Sequence, residues 1–250
     1  MRWPTFSCGR FVFCGVPALA VLGFLAWLVL TNLPFLPAED PQKLLTQALA
    51  RTKEARSYSY RLRTNLVTPR GKRCLSELSG VRVLPDGVSV RGKIFNAPVA
   101  IVQTGGITYI KDSFSDRWIT LEGERLGQTA IFLTELDPLI LLDFAAAPTV
   151  TSGRRLQEGR ESLYLVEFTP AVKNRFLTAQ FRDFHYRVAI ETEKGYIVKV
   201  EVTAQSKNTP TRLMVNLALG DFNWHFRIEP PVEGLPPAGG RRGDTGFDFL

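Results

Sequence analysis

The 250-residue chain contains two histidines, His185 and His225, each set among aromatics as Phe184-His185-Tyr186 and Trp224-His225-Phe226. A metal site or a general base needs partners at defined spacing, and neither histidine has them. Asp137 and Asp143 could act as paired carboxylates, but a helix N-cap at Asp137 and a solvent-facing Asp143 account for both. The three cysteines are Cys8, Cys14 and Cys74, and no C-x-x-C occurs. Cys74 reads as a small, half-buried hydrophobe on a strand. Gly105-Gly106 lacks the Lys and the helix of a phosphate loop, and no G-x-S-x-G is present. Arg242-Gly243-Asp244 is a short adhesion tripeptide in a Gly-rich tail, where three-residue matches are frequent. No catalytic, cofactor or metal site is read from the sequence, and the chain is expected not to be an enzyme.

One set of side chains suits binding rather than reaction. Phe95, Tyr109, Phe114, Trp118, Phe132 and Phe144 cluster around a predicted hairpin and a predicted central helix, and Phe95, Tyr109, Trp118 and Phe132 are taken from them as cavity candidates. Leu139, Ile140, Leu142 and Phe144 lie on a predicted central helix that is apolar nearly all round. Such a helix must be deeply buried or must line something greasy. Together these eight residues either fill the core of a curved sheet or line a cavity for an apolar ligand. They are the candidate ligand-binding residues.

The elements that would position them follow from periodicity. Asp40-Pro41 opens a helix, with Leu44, Leu45, Ala48, Leu49 and Ala55 as its stripe and an end near Arg56. Tyr58, Tyr60, Leu62, Thr64 and Leu66 then alternate with Ser59, Arg61, Arg63 and Asn65, which is a strand with one apolar face. Turns at Pro69–Lys72, Pro85–Gly87 and Gly105–Gly106 separate strands near 74–84, 88–94, 98–103 and 107–110. Trp118–Leu121 follows as a further strand. Asp137-Pro138 repeats the cap-and-proline signature before the central helix, and Thr129–Leu136 is a possible short helix before it. Strands resume from Thr149 to Glu158, over Ser162–Phe168, His185–Glu191 and Tyr196–Thr203, and end with Arg212–Leu219.

The ends of the chain set its surroundings. No residue from Phe11 to Ala38 is charged, and Phe11–Leu30 alone supplies the about 20 residues that span a bilayer core. Arg2 and Arg10 precede it, and Glu39 and Asp40 follow it. The positive-inside rule therefore places the N-terminus in the cytoplasm and the rest outside. The exit lacks a small-x-small cleavage site, so an uncleaved anchor is expected. The organisation read is 1–10 cytoplasmic, 11–36 transmembrane helix, 37–228 extracytoplasmic domain and 229–250 a disordered Pro/Gly-rich tail. Hydrophobic residues make up 45% and charged residues 22% of the chain, a globular composition. The net charge of +7 is spread thinly. It fits a face near anionic headgroups better than nucleic acid.

The order of elements resembles the LolA/LppX-type lipoprotein carriers. The likeness is carried by Leu44–Arg56 with the Ser57-Tyr58-Ser59-Tyr60 strand, by Gly92–Val102 with Gly106–Ile110 and Trp118–Leu121, by Asp137–Phe144, and by Val198–Asp221. It implies a strongly curved antiparallel sheet, a half-barrel with helices packed on one face. With the transmembrane helix read above, by which this sequence departs from the soluble carriers, the expected fold is α+β. The resemblance also implies a cavity that takes acyl chains or lipidated cargo. A relative of the same fold, the RseB-type regulator, senses envelope stress instead. The expected function is therefore a tethered binding protein for a lipid or other apolar ligand in a bacterial envelope, at the cytoplasmic membrane with its domain outside. The alternative is a non-enzymatic sensor or interaction module of an envelope or sporulation assembly. The expected partners are a lipid or acyl chain, the membrane through the N-terminal helix, and a membrane protein in the alternative. A reporter fused after Leu250 should be active outside the cytoplasm; activity inside would overturn this orientation.

Overall fold

Alternation in the first strand decides which side of the sheet is dry. In β1 (Ser57–Thr68) Tyr58, Tyr60 and Leu62 are buried while Arg61 is exposed. The register carries this apolar row across the neighbours, because side chains opposite one another share a face. In β11 (Arg212–Gly220), Leu219, Leu217, Val215 and Leu213 stand opposite Tyr60, Leu62, Thr64 and Leu66. In β2 (Gly71–Val83), Gly80 and Leu78 stand opposite Tyr60 and Leu62. Gly80 is required there. The Tyr60 ring lies over it, and a Cβ would fall 2.6 Å from Tyr60 Cζ.

The computed structural model describes residues 40–122, 136–159 and 161–231. The chain divides into two units, Met1–Glu39 and Asp40–Leu250, and the described residues belong to the second. The predicted membrane span 11–36, Phe132 and residues 232–250 lie outside the described residues. Among the described residues no helix is long and apolar enough to cross a membrane.

The remaining strands are β3 (Gly87–Ile94), β4 (Ala97–Thr104), β5 (Ile107–Lys111), β6 (Trp118–Glu122), β7 (Val150–Glu158), β8 (Glu161–Phe168), β9 (Phe181–Glu191) and β10 (Ile197–Ser206). They form one antiparallel sheet of 11 strands in the order β6-β5-β4-β3-β2-β1-β11-β10-β9-β8-β7. The sheet is open, with β6 and β7 at its edges. Two meanders, β1–β6 and β7–β11, meet where the first strand pairs with the last.

Helices are few. α1 (Pro41–Lys53) starts as expected, with the Asp40 carboxylate accepting from the Gln42 N–H at 3.0 Å and Pro41 in the first turn. Leu45 and Ala48 are buried in the same core as the sheet residues. Two polar side chains fix the helix to the sheet. The Gln42 amide donates to the Pro148 carbonyl and accepts from the Val150 N–H, each at 2.9 Å. The buried Thr52 hydroxyl accepts from the Ile197 N–H at 3.0 Å, where β10 begins.

The central helix is shorter than the sequence pattern predicts. It is a 3-10 helix of five residues, Pro138–Leu142. Asp143 is already extended, and Phe144 makes a β-bridge with Val172. A short helix α2 (Arg175–Gln180), not expected from the sequence, is capped by the Asn174 side chain, which accepts from Phe176 N and Leu177 N at 3.0 and 3.1 Å.

Thr52 offers a test of how α1 is held. Thr52→Val keeps the shape but leaves a buried N–H without an acceptor, a loss of about 1–3 kcal/mol. Thr52→Ser should recover most of it. Urea unfolding of both variants checks this, and equal stability of Thr52→Val and the parent would refute it.

Candidate ligand-binding site

The apolar face of the sheet divides into two halves. On the β8–β11 side Val166, Phe168, Tyr186, Val188, Val200, Val202 and Leu217 are buried. α1, the 3-10 helix and α2 share that side. The helix–sheet contacts among the described residues fall mainly on β7, β9 and β10. On the β1–β5 side the outlying apolar residues Leu66, Ile94, Val99 and Ile110 are only partly buried. They belong to one face, since Ile101, in register with Val90 and Ile110, is a core residue.

The 3-10 helix stands over the covered half. Its Leu141 and Leu142 are 2% and 0% exposed. The Leu141 carbonyl accepts from the Tyr186 hydroxyl at 3.0 Å, in a buried bond. Phe144 packs edge-on against Phe168 and Tyr186, with ring centroids 5.6 and 5.3 Å away. These three rings close the core from that side.

Leu139 and Ile140 point the other way. With Leu84, Tyr58, Lys53, Asp137 and Asp143 they line a cleft of about 190 Å³. Asp137 serves two groups there. Its carboxylate caps the 3-10 helix at Leu139 N, 3.3 Å, and accepts from the Tyr58 hydroxyl at 2.9 Å. Lys53 and Asp143 form an ion pair at 2.6 Å across the rim, with both side chains over 40% exposed. An exposed pair of this kind adds little stability, so its effect is to tie the end of α1 to the 3-10 helix. The cleft joins an apolar floor to a charged rim.

The predicted residues are only partly brought together. Leu139, Ile140, Leu142 and Phe144 are grouped, two on the cleft and two in the core. Phe95, Tyr109 and Trp118 are not near the 3-10 helix. Phe95 and Asn96 form the β3–β4 turn, both in the left-handed region with φ of 50° and 66°, and Phe95 is 62% exposed. Tyr109 faces Val102, and Trp118 pairs with Lys111, on the face opposite Ile101 and Ile110. Their place reflects strand parity. An odd step along a strand moves an aromatic to the other side of the sheet. Lys53, Tyr58 and Leu84 of the cleft were not predicted, and only the Asp137 cap carried a sequence signal. His185 lies half-exposed on the outer face, 3.9 Å from Glu167. Among the described residues no group of His, Cys, Asp and Glu could hold a metal ion.

No protein-family model and no curated protein sequence matches this chain. Solved structures do. LprF from Mycobacterium bovis superposes with a TM-score of 0.50 at 14% identity, covering 78% of this chain and 98% of LprF. LppX, a lipoprotein of Mycobacterium tuberculosis, superposes with a TM-score of 0.50 at 15% identity, covering 77% of this chain and 100% of LppX. The fold is LppX-like.

The LppX-like sheet contains two tyrosines that report on its closure. Burial raises the Tyr58 hydroxyl far above its ordinary range, and the neighbouring Asp137 carboxylate adds to the shift. Burial alone raises Tyr186. A phenol whose folded pKa is raised contributes stability that is complete below the unfolded value and lost as pH climbs toward the folded one. Stability should therefore decline above about pH 10. In an alkaline absorbance titration, part of the tyrosine signal should appear only with loss of the circular-dichroism signal of the fold. The Tyr58→Phe/Tyr186→Phe double variant should lack that delayed fraction. A delayed fraction that persists in the variant would contradict the assignment.

Proposed function

We propose that this domain binds a lipid or other apolar ligand against the partly covered apolar face of its sheet. The observation that carries the reading is the asymmetry of that face. Helices stand over one half; on the other Leu62, Leu78, Val88, Val90 and Ile101 are buried, while Leu66, Ile94, Val99 and Ile110 around them remain partly exposed. Exposed apolar residues gathered on one face of a sheet mark a surface with an occupant. The LppX-like fold agrees with the acyl-chain or lipidated cargo that the sequence resemblance implies. In this reading the sheet curves as a half-barrel, with Leu139 and Ile140 at one margin of the bound chain. In the same reading the uncharged segment 11–36 is the tether that holds the domain at the outer face of a bacterial cytoplasmic membrane. A tethered domain does not travel between membranes; it holds or presents its ligand locally.

Native mass spectrometry after detergent-free purification tests the reading. A bound apolar species, or saturable uptake of a fluorescent fatty acid, is expected. Ile110→Glu places a charge on the partly covered face and should reduce uptake roughly tenfold or more, since an unpaired charge beside an alkyl chain is costly. Its melting temperature serves as the control for folding. A clean unliganded mass with no probe uptake by the parent protein would remove this reading and leave the interaction module ahead.

A further inference from the structure

The face opposite the core carries a second cavity, of about 390 Å³, lined by Arg61, Leu62, Arg63, Glu77, Leu78, Ser79, Arg91, Gly92 and Lys93. Its side chains come from three adjacent strands in register. Arg61, Ser79 and Arg91 form one row, and Arg63, Glu77 and Lys93 the next. With about 4.8 Å between strands and about 6.8 Å between alternate residues, the four cations stand at the corners of a rectangle roughly 10 by 7 Å. Ser79 and Glu77 lie between them on the middle strand. The inward-facing Leu62, Leu78 and Gly92 supply the floor. Gly92 cannot be replaced, because a Cβ would meet the Glu77 carbonyl and its φ is +150°.

The charges here are handled differently from those elsewhere on the same face. Further along the sheet, Arg187 is held between Glu167 at 2.9 Å and Glu201 at 3.4 Å, and Lys199 pairs with Glu158 at 2.8 Å. In the cavity, Arg63, Arg91, Lys93 and Glu77 form no ion pair with any described residue. The Arg63 Nε is buried and has no hydrogen-bond partner. A buried guanidinium N–H without an acceptor is costly. Arg63, Arg91 and Lys93 around the one carboxylate of Glu77 make a field that an anion would relieve.

We propose that this cavity binds a phosphate ester. Arginine forks match tetrahedral oxyanions in bidentate fashion, from opposite walls. The Ser79 hydroxyl is placed to meet a neighbouring oxygen. The volume exceeds that of phosphate alone, so the anion arrives with a small polar group attached. The same chemistry occurs in a soluble phosphate ester and in a phospholipid headgroup.

Calorimetry on the full chain in neutral-detergent micelles, with sn-glycerol 3-phosphate as the probe, tests the proposal. Saturable binding with one site is expected. Arg63→Gln/Arg91→Gln should weaken it by roughly tenfold or more, given what a charge-assisted hydrogen bond contributes. Arg154→Gln/Arg175→Gln, which removes equal charge from exposed positions elsewhere, should leave it unchanged. Glu77→Gln should tighten it, a gain that misfolding cannot produce. Parallel titrations with inorganic phosphate and with phosphatidylglycerol vesicles identify the source. Tighter binding of the ester than of inorganic phosphate, without retention on vesicles, supports a soluble ester. Stronger retention on vesicles, abolished by Arg63→Gln/Arg91→Gln, supports a headgroup. Absence of binding to all three probes, equal loss in the Arg154→Gln/Arg175→Gln control, or weakening by Glu77→Gln would overturn the proposal.

Discussion

The pairing of β1 with β11 is the constraint on which the rest of the molecule depends. Its register runs without interruption from Ser59 opposite Gly220 to Val67 opposite Arg212. Each meander can assemble from its own neighbours, but only this pair joins them into one sheet. A slip of one residue would put Leu217 and Leu219 on the opposite face from Tyr60 and Leu62. The segment beyond β11 reinforces the register. The Asn223 N–H donates to the Ser57 carbonyl at 2.8 Å, and its side-chain oxygen accepts from the Arg56 N–H at 2.8 Å. Phe222 stacks on Tyr196 at 4.2 Å, and the Arg51 guanidinium lies over the Tyr196 ring at 5.1 Å. The end of α1, the seam and the start of β10 are thereby fixed to one another.

Once the seam is set, the two faces take different work. Among the described residues the helices stand over the β8–β11 half of the inner face, and Leu66, Ile94, Val99 and Ile110 of the other half are only partly buried. The outer face neutralises its charges on β8–β10 through the Glu167–Arg187–Glu201 ladder. That neighbourhood holds the Glu167 carboxyl below its usual range, chiefly through the Arg187 hydrogen bond. The same face gathers Arg61, Arg63, Arg91 and Lys93 on β1–β3. One twisted sheet thus offers an apolar surface and an anion-seeking surface back to back, sharing the same strands.

Much of this fold is legible in the sequence because its strands are half-buried, and half-burial writes itself as alternation. Tyr58 to Leu66 and the strands around Gly105-Gly106 are plain for that reason. The β3–β4 turn shows in the sequence only as the gap between the strands read at 88–94 and 98–103, because Phe95 occupies a position where a small residue would announce the bend and only Asn96 gives a sign. Asp137-Pro138 correctly marks a helix start, but nothing local stops the apolar run after it. Its end is set by the pairing of Phe144 with Val172, a contact between distant parts of the chain. The site was harder to read than the fold. An aromatic's type is visible in the sequence, but its side of the sheet depends on register. Tyr109 and Trp118 were therefore grouped with residues they do not meet, and the Arg61, Arg63, Arg91 and Lys93 grouping appears only after β1, β2 and β3 are aligned.

The central seam also has a consequence in time. A chain made or threaded from its N-terminus forms β1 early and β11 near the end, so one edge of β1 waits for its partner until Gly220 has emerged. The hairpins on either side can form locally within microseconds, but the middle of the sheet cannot close before nearly the whole domain is available. Pairings so distant in sequence close slowly. Such a topology delays its own completion, and a polypeptide passing through a narrow pore reaches the far side before its two halves can lock.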